Sequence, residues 1–262
     1  MTAARRALRF AAAMALASVV GCAGQPRSEP TVLLGSESEA FLILPLNVAL
    51  AMPPELENSS PILWRELELY LREQGKELKT VSREVARNLW VRSIQKAREG
   101  PKGARAGYDD AARSLAVELR KHAEFDAMIA PSLFIREARI ENQTASWDGV
   151  ARAIEFEFEE QRLGARTSVA NRPLEGVAPG ASLHVAVFDA EGEKLHEGEG
   201  GLDLLVRVKV RSKRPFSEDD ANALAADPTF DFAPRPDPFG DRVHLRQGFN
   251  AAFAPLLPPL PD

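Results

Sequence analysis

The 262-residue chain contains one cysteine, Cys22. Disulfides in exported proteins form in pairs, so no intrachain bridge is available. Histidine occurs four times, at His122, His184, His196 and His244, in separate predicted elements and without ligand-like spacing. The sequence has no Gly-x-Ser-x-Gly elbow, no Walker loop and no His-Glu-x-x-His helix. Gly198-Glu199-Gly200-Gly201 lacks the lysine of a phosphate cradle. Long apolar runs are missing as well. The twelve residues Phe10 to Gly21 are uncharged, whereas a spanning helix needs roughly 20 apolar residues.

That short run instead follows a basic cluster, Arg5, Arg6 and Arg9, and leads into Val19-Val20-Gly21-Cys22. A charged n-region, a short apolar h-region and small residues before a junction have the order of a signal peptide. The four-residue segment resembles the bacterial lipobox. The resemblance implies cleavage between Gly21 and Cys22, a diacylglycerol on the Cys22 thiol, and a further N-acyl chain. The alternative is an ordinary secretory signal with a chance cysteine. Arg5-Arg6 also resembles a twin-arginine signal, although Ala4 and the short h-region favour Sec export. Ala23 follows the cysteine where inner-membrane lipoproteins carry aspartate. The expectation is therefore an outer-membrane lipoprotein facing the periplasm, held by acyl chains and needing no other cofactor.

Removing residues 1–21 leaves 30 basic against 38 acidic residues. Such a net charge argues against nucleic acid as a partner. Residues 22–38 are small, polar and proline-containing, as in a tether. An α/β domain is expected over residues 39–215, a Pro-rich extended segment over 216–240, and a C-terminal helix and tail, packed on that domain, over 241–262.

Ala40 to Met52 predicts a central strand ending or bending at Pro45. Ser59-Ser60-Pro61 predicts a helix start, with Leu63, Trp64, Leu67, Tyr70 and Leu71 inward until Gly75. Glu77 to Val81 alternates briefly. Ser82 is expected to cap a second helix with Val85, Leu89, Trp90 and Ile94 inward, and Asp109 to His122 a third burying Ala112, Leu115 and Leu119. Phe125 to Ile140 reads as one long strand or two, Glu141 to Gly149 as a loop, and Ile154 to Glu159 as a strand wet on one face. Leu183 to Val187 is expected to form a hairpin with Leu202 to Val210, ragged around Gly198, Gly200 and Gly201. Ala226 to Gly240 reads as an extended crossing and Asp241 to Ala254 as the last helix. The fold class expected is a single α/β sandwich domain with a mixed sheet flanked by helices.

The order of these elements, with the strings Phe41-Leu42-Ile43-Leu44-Pro45-Leu46-Asn47 and Val187-Phe188-Asp189-Ala190-Glu191-Gly192, is similar to a group of envelope domains. The group comprises the amino-terminal domain of TolB, the curli secretion lipoprotein CsgG and lipoprotein activators of penicillin-binding proteins. The resemblance spans roughly residues 40–255, without the stretch Asn142 to Pro179 and the segment after Phe216. It implies a non-enzymatic module that binds an envelope protein partner, or a subunit of an oligomeric secretion assembly. An envelope hydrolase or metal binder is the third reading. For the last, His184 and His196 would face each other across the hairpin. Glu155, Glu157, Glu159 and Glu160 form an acidic run expected to be solvated. Trp147 is expected to fold back on the core, or else to lie exposed beside Trp64 or Trp90 as a partner or sugar contact.

Overall fold

A computed structural model describes residues 40–158, 174–211 and 229–261. Cys22, Gly21, the expected tether, Glu159, Glu160 and residues 212–228 lie outside the described residues.

The chain takes hold at β1 (Ala40–Ile43), whose first N–H donates to Asp126 Oδ2 at 2.8 Å. Pro45 ends the strand, yet the pairing continues beyond it. Asn47 sits at a left-handed φ of 58° and its N–H donates to Pro131 O. The short helix α1 (Pro54–Glu57) buries Leu56, and α2 (Ser60–Glu73) buries Leu63, Leu67, Tyr70 and Leu71. Gly75, at φ 75°, turns the chain into β2 (Glu77–Thr80). Ser82 Oγ accepts the N–H of Val85 and so caps α3 (Arg83–Glu99). Val85 itself is 48 % exposed, against the inward position expected of it. The inner stripe is Ala86, Leu89, Trp90 and Ser93, and one residue before that stripe lies about 100° away around the helix. A 3₁₀ turn at Gly103–Arg105 leads to α4 (Tyr108–Arg120), which buries Ala111, Ala112, Leu115, Ala116 and Leu119.

β3 (Ala127–Glu141) is the long spine of a mixed sheet. β1 lies parallel to both β2 and β3, while β7 (Gly176–Asp189) runs antiparallel to β3 from Ala127↔Asp189 to Ile140↔Gly176. β8 (Lys194–Leu204) continues the sheet beyond β7. At its far end β3 also pairs with β4 (Thr144–Trp147), which pairs with β5 (Val150–Ala153). A second sheet joins β6 (Phe156–Phe158), β9 (Val206–Arg211) and β10 (Thr229–Pro234), in the order β10-β9-β6. The last helix is α5 (Arg242–Phe253).

Alternation in the strands sorts the core. Phe41, Ile43, Ile129, Leu133, Leu183, Val185 and Val187 face α2 and α5. Leu42, Leu44, Met128, Ala130, Ala186 and Phe188 face α3 and α4. The protein is thus mixed α/β, with a mixed sheet flanked by helices, as the element order predicts. A third cluster, around Ile140, Trp147, Val150, Leu204 and Val208, sits where the two sheets meet. No helix among the described residues is long and apolar enough to cross a membrane.

Three expectations need correction. The partner of the Leu183–Val187 segment is β8, not Leu202 to Val210, because the turn is tight: Asp189 Oδ1 accepts the N–H groups of Glu191 and Glu193, and the strand resumes at Lys194. Val206 onward belongs to the second sheet. The supposed loop after Glu141 is a meander, made by two turns with left-handed residues, Asn142-Gln143 (φ 49° and 67°) and Asp148-Gly149 (φ 37° and 77°). The extended segment before Gly240 contains β10, paired with β9 along its length.

Candidate functional site

The densest convergence of ionisable groups lies at the end of β8. Leu202 is an extra residue in the β7–β8 register, since Ala181 faces Asp203 and Ser182 faces Gly201. A bulge of this kind re-aims the side chain that follows. Here it leaves Asp203 1 % exposed between two buried leucines. Asp203 Oδ1 accepts from Arg235 Nη1 at 2.6 Å and from the Leu204 N–H at 2.8 Å. His244 Nδ1 stands 3.4 Å from the same oxygen, and its Nε2 is 3.7 Å from Asp241 Oδ2. Asp203 Oδ2 is buried and accepts no hydrogen bond among the described residues.

Each partner arrives from a different element. Arg235 follows β10 directly and reaches on to Glu155 Oε1 at 2.6 Å, in the link between β5 and β6. Asp241 caps α5 by accepting the N–H groups of Val243 and His244. Arg152 on β5, only 4 % exposed, donates to Gln247 Oε1 at 2.5 Å and to the His244 carbonyl at 2.9 Å. The cluster therefore pins the start of α5, the exit of β10 and the β5–β6 link to one buried carboxylate.

Burial raises the proton affinity of Asp203 above the ordinary carboxylate range, against the opposing pull of Arg235 and His244. Asp241 is held below its usual range because the His244 and Val243 N–H groups and the His244 ring favour its charged form over the cost of burial. Two carboxylates shifted in opposite directions thus flank one imidazole. Asp203 is buried, whereas the His244 and Asp241 side chains are 27 % and 43 % exposed. An apolar crevice between Leu44, Pro45, Trp90, Tyr108 and Met128 encloses about 10 Å³, no more than one water would fill. Burial, with Asp109 and Glu197 nearby, pushes the Tyr108 phenol there up to about 12.

The residues singled out in the sequence do not converge. His184 lies on the α3/α4 side of the sheet, its Nε2 3.1 Å from Glu197 Oε1 and its ring edge-on to Phe134. His196 pairs with Val187 in the register, on the opposite face, and its Nε2 meets the Ala252 carbonyl at 2.7 Å. The two cannot share an ion. Among the described residues no three His, Cys, Asp or Glu side chains are grouped to hold a metal. His122 is exposed at the end of α4. Glu155 and Glu157 are engaged by Arg235 and Arg207, at 2.6 and 2.8 Å, rather than merely solvated. Trp147 is 7 % exposed and donates to the Ala181 carbonyl at 3.2 Å, so it folds back on the core. Trp64 and Trp90 belong to the other two clusters, apart from it.

The sequence pass missed Asp203, Arg235 and His244 as a group. Asp203 reads as the polar position of an alternating strand, and its partners lie 32 and 41 residues further on. The detectable signal was a lone carboxylate inside Leu202-Asp203-Leu204-Leu205, where a charge needs a partner. The sequence matches no protein-family model, and no curated protein matches it.

Proposed function

We propose that the chain is a lipid-anchored envelope lipoprotein whose α/β domain serves as a protein-interaction module, facing the periplasm from the outer membrane. The observation that carries this reading is Val19-Val20-Gly21-Cys22 at the end of a twelve-residue uncharged run behind three arginines. The point of attachment supports it. The first described strand, β1, begins at Ala40, and Ala23 to Glu39 are seventeen residues counted inclusively. β1 is an interior strand with β2 on one side and β3 on the other.

The test is mass spectrometry of the amino-terminal peptide together with membrane fractionation. Wild type is expected to carry acyl chains on Cys22 and to sediment with membranes, and Cys22→Ala to carry none and to keep residues 1–21. A wild-type chain without acyl groups sinks the reading. A subunit of an oligomeric secretion assembly is the second reading, favoured by β2, which among the described residues pairs only with β1 and so leaves its other edge unpaired. Light scattering of the solubilised chain distinguishes the two, since a strict monomer in detergent and in vesicles counts against assembly.

A further inference from the structure

We propose that the outer face of α3 is a binding surface for acidic lipid headgroups and seats the domain on the membrane. Ala86, Leu89, Trp90 and Ser93 point α3 inward. Arg83, Arg87, Val91 and Arg98 then follow one another along an outer flank at helical spacing, with Arg92 on the other flank. Arg105 continues the charge in the next turn. All five arginines are exposed, and none makes a hydrogen bond or ion pair with a described residue. The helix carries only two acids, Glu84 and Glu99.

This is unusual within the molecule. The whole chain has a net charge of -5, and most of the other described arginines have acidic partners. On the neighbouring α4, Arg113 pairs with Glu193, Arg120 with Glu191, and Lys121 with Glu118. Arg136, Arg242 and Arg246 likewise have acidic partners. The net negative charge predicts repulsion from anionic surfaces, and α3 is where that prediction fails locally.

The chemistry fits phosphate. A guanidinium offers two parallel N–H donors to phosphate oxygens, and its long stem lies along apolar material while the head stays wet. Two valines sit among the arginines with half their surface open, Val85 at 48 % and Val91 at 49 %. Cations interleaved with exposed aliphatic groups on one helix suit a lipid interface better than a phosphate backbone alone. That the phosphates belong to lipid rests on the anchoring reading above.

The test is vesicle sedimentation of the full chain carrying Cys22→Ala, which takes the acyl anchor out of the measurement. The same chain carries Arg5→Gln/Arg6→Gln/Arg9→Gln as the background in every arm, so that the basic amino terminus does not supply the preference. Neutral phosphatidylcholine vesicles are compared with vesicles in which phosphatidylglycerol replaces part of the phosphatidylcholine. The chain is expected to prefer the acidic vesicles, and Arg83→Gln/Arg87→Gln/Arg98→Gln to lose that preference by about 100-fold, at roughly tenfold or less per cation. Salt is expected to weaken the preference progressively. The three side chains have no described partner, so circular dichroism and the thermal midpoint are expected to be unchanged. Equal binding to both vesicle types, or a triple variant that keeps the preference, overturns the proposal. So does binding to heparin or polyglutamate at the same salt without binding to the acidic vesicles. Acyl groups on wild-type Cys22 are read separately. Their absence with an intact lipid preference sinks only the anchoring reading, and their presence without a preference sinks only this one.

Discussion

Asp203 and Arg235 form a 2.6 Å contact between a carboxylate 2 % exposed and a guanidinium 16 % exposed in their side chains. The pair joins the end of β8 to the chain leaving β10, and Arg235 extends the link to Glu155. Desolvation of both charges offsets much of their attraction, so the pair is strong evidence of coupling and weak evidence of net stability. Asp203→Ala is expected to cost about 3 kcal/mol, because Arg235 is left buried without its main partner. Asp203→Leu/Arg235→Met is expected to cost less than the sum of the single changes. Urea unfolding of wild type, Asp203→Leu, Arg235→Met and the double variant measures this, and additive losses would mean that the two side chains are not coupled.

The shift on Asp203 sets the sign of a pH effect. Its folded proton affinity is raised above the value of 3.8 that it has in an unfolded chain. Between those two values the folded state holds a proton that the unfolded state lacks, so this group's contribution to stability rises as pH falls through the interval. Glu197 has the opposite sign. Lys194, and then His184, lower it from 4.5, so its contribution is present above that value and lost as pH falls through the lowered one. Unfolding of wild type and Asp203→Asn across mildly acidic pH is expected to show wild type gaining on the variant with acidification. A difference that narrows in the other direction refutes the assignment.

The local elements were largely legible because each left a signal of its own. Ser82 announces α3, the spacing of Leu63, Leu67 and Leu71 announces α2, and Leu183-Val185-Val187 marks β7. Errors arose where tertiary context outweighed such patterns. Asp148-Gly149 has the residue pair of a tight hairpin, but Thr144 to Trp147 is too short and mixed to suggest a strand without β3 beside it. Gly198, Gly200 and Gly201 look like a broken strand, since their value lies in what packs over them. The ionic group at Asp203 left no signal beyond that lone carboxylate, for a further reason. Its members come from distant parts of the chain, and no periodicity relates them.

Those glycines support a sharper expectation. α5 crosses β8 so closely that a Cβ on Gly200 would strike the Gly248 carbonyl, while one on Gly248 would lie 2.5 Å from the Gly201 carbonyl. Both obstacles are backbone, which has little room to yield. The contact seats Phe249 and Phe253 in the core, at 2 % and 0 % exposure. Gly200→Ala and Gly248→Ala are each expected to destabilise the fold by about 1–3 kcal/mol, the range for overpacking. Gly107→Ala, where a Cβ meets nothing within 4 Å, is the control. Thermal unfolding gives the ranking, and a control as damaging as Gly200→Ala would remove close packing as the cause.

Asn47 offers the most discriminating substitution, because its side chain replaces a strand. Its Oδ1 accepts the Leu133 N–H at 2.8 Å and its Nδ2 donates to the Leu133 carbonyl at 3.1 Å. One amide thus satisfies both backbone groups of a residue on β3 after β1 has ended, and Nδ2 also reaches the Ala51 carbonyl at 3.3 Å. The left-handed φ of 58° favours asparagine or glycine. Asn47→Gly keeps the backbone unstrained but leaves two buried groups unmatched, at about 1–3 kcal/mol. Asn47→Ala adds the cost of a Cβ in the left-handed region, about 1 kcal/mol more. Asn47→Asp retains the acceptor but sets a carboxylate oxygen against the Leu133 carbonyl, and at neutral pH it is expected to be the most harmful of the three. Acidification would protonate that carboxyl, restore a donor and recover part of the loss. An Asn47→Asp variant whose stability deficit is independent of pH would show that the amide does not clamp Leu133 in this way.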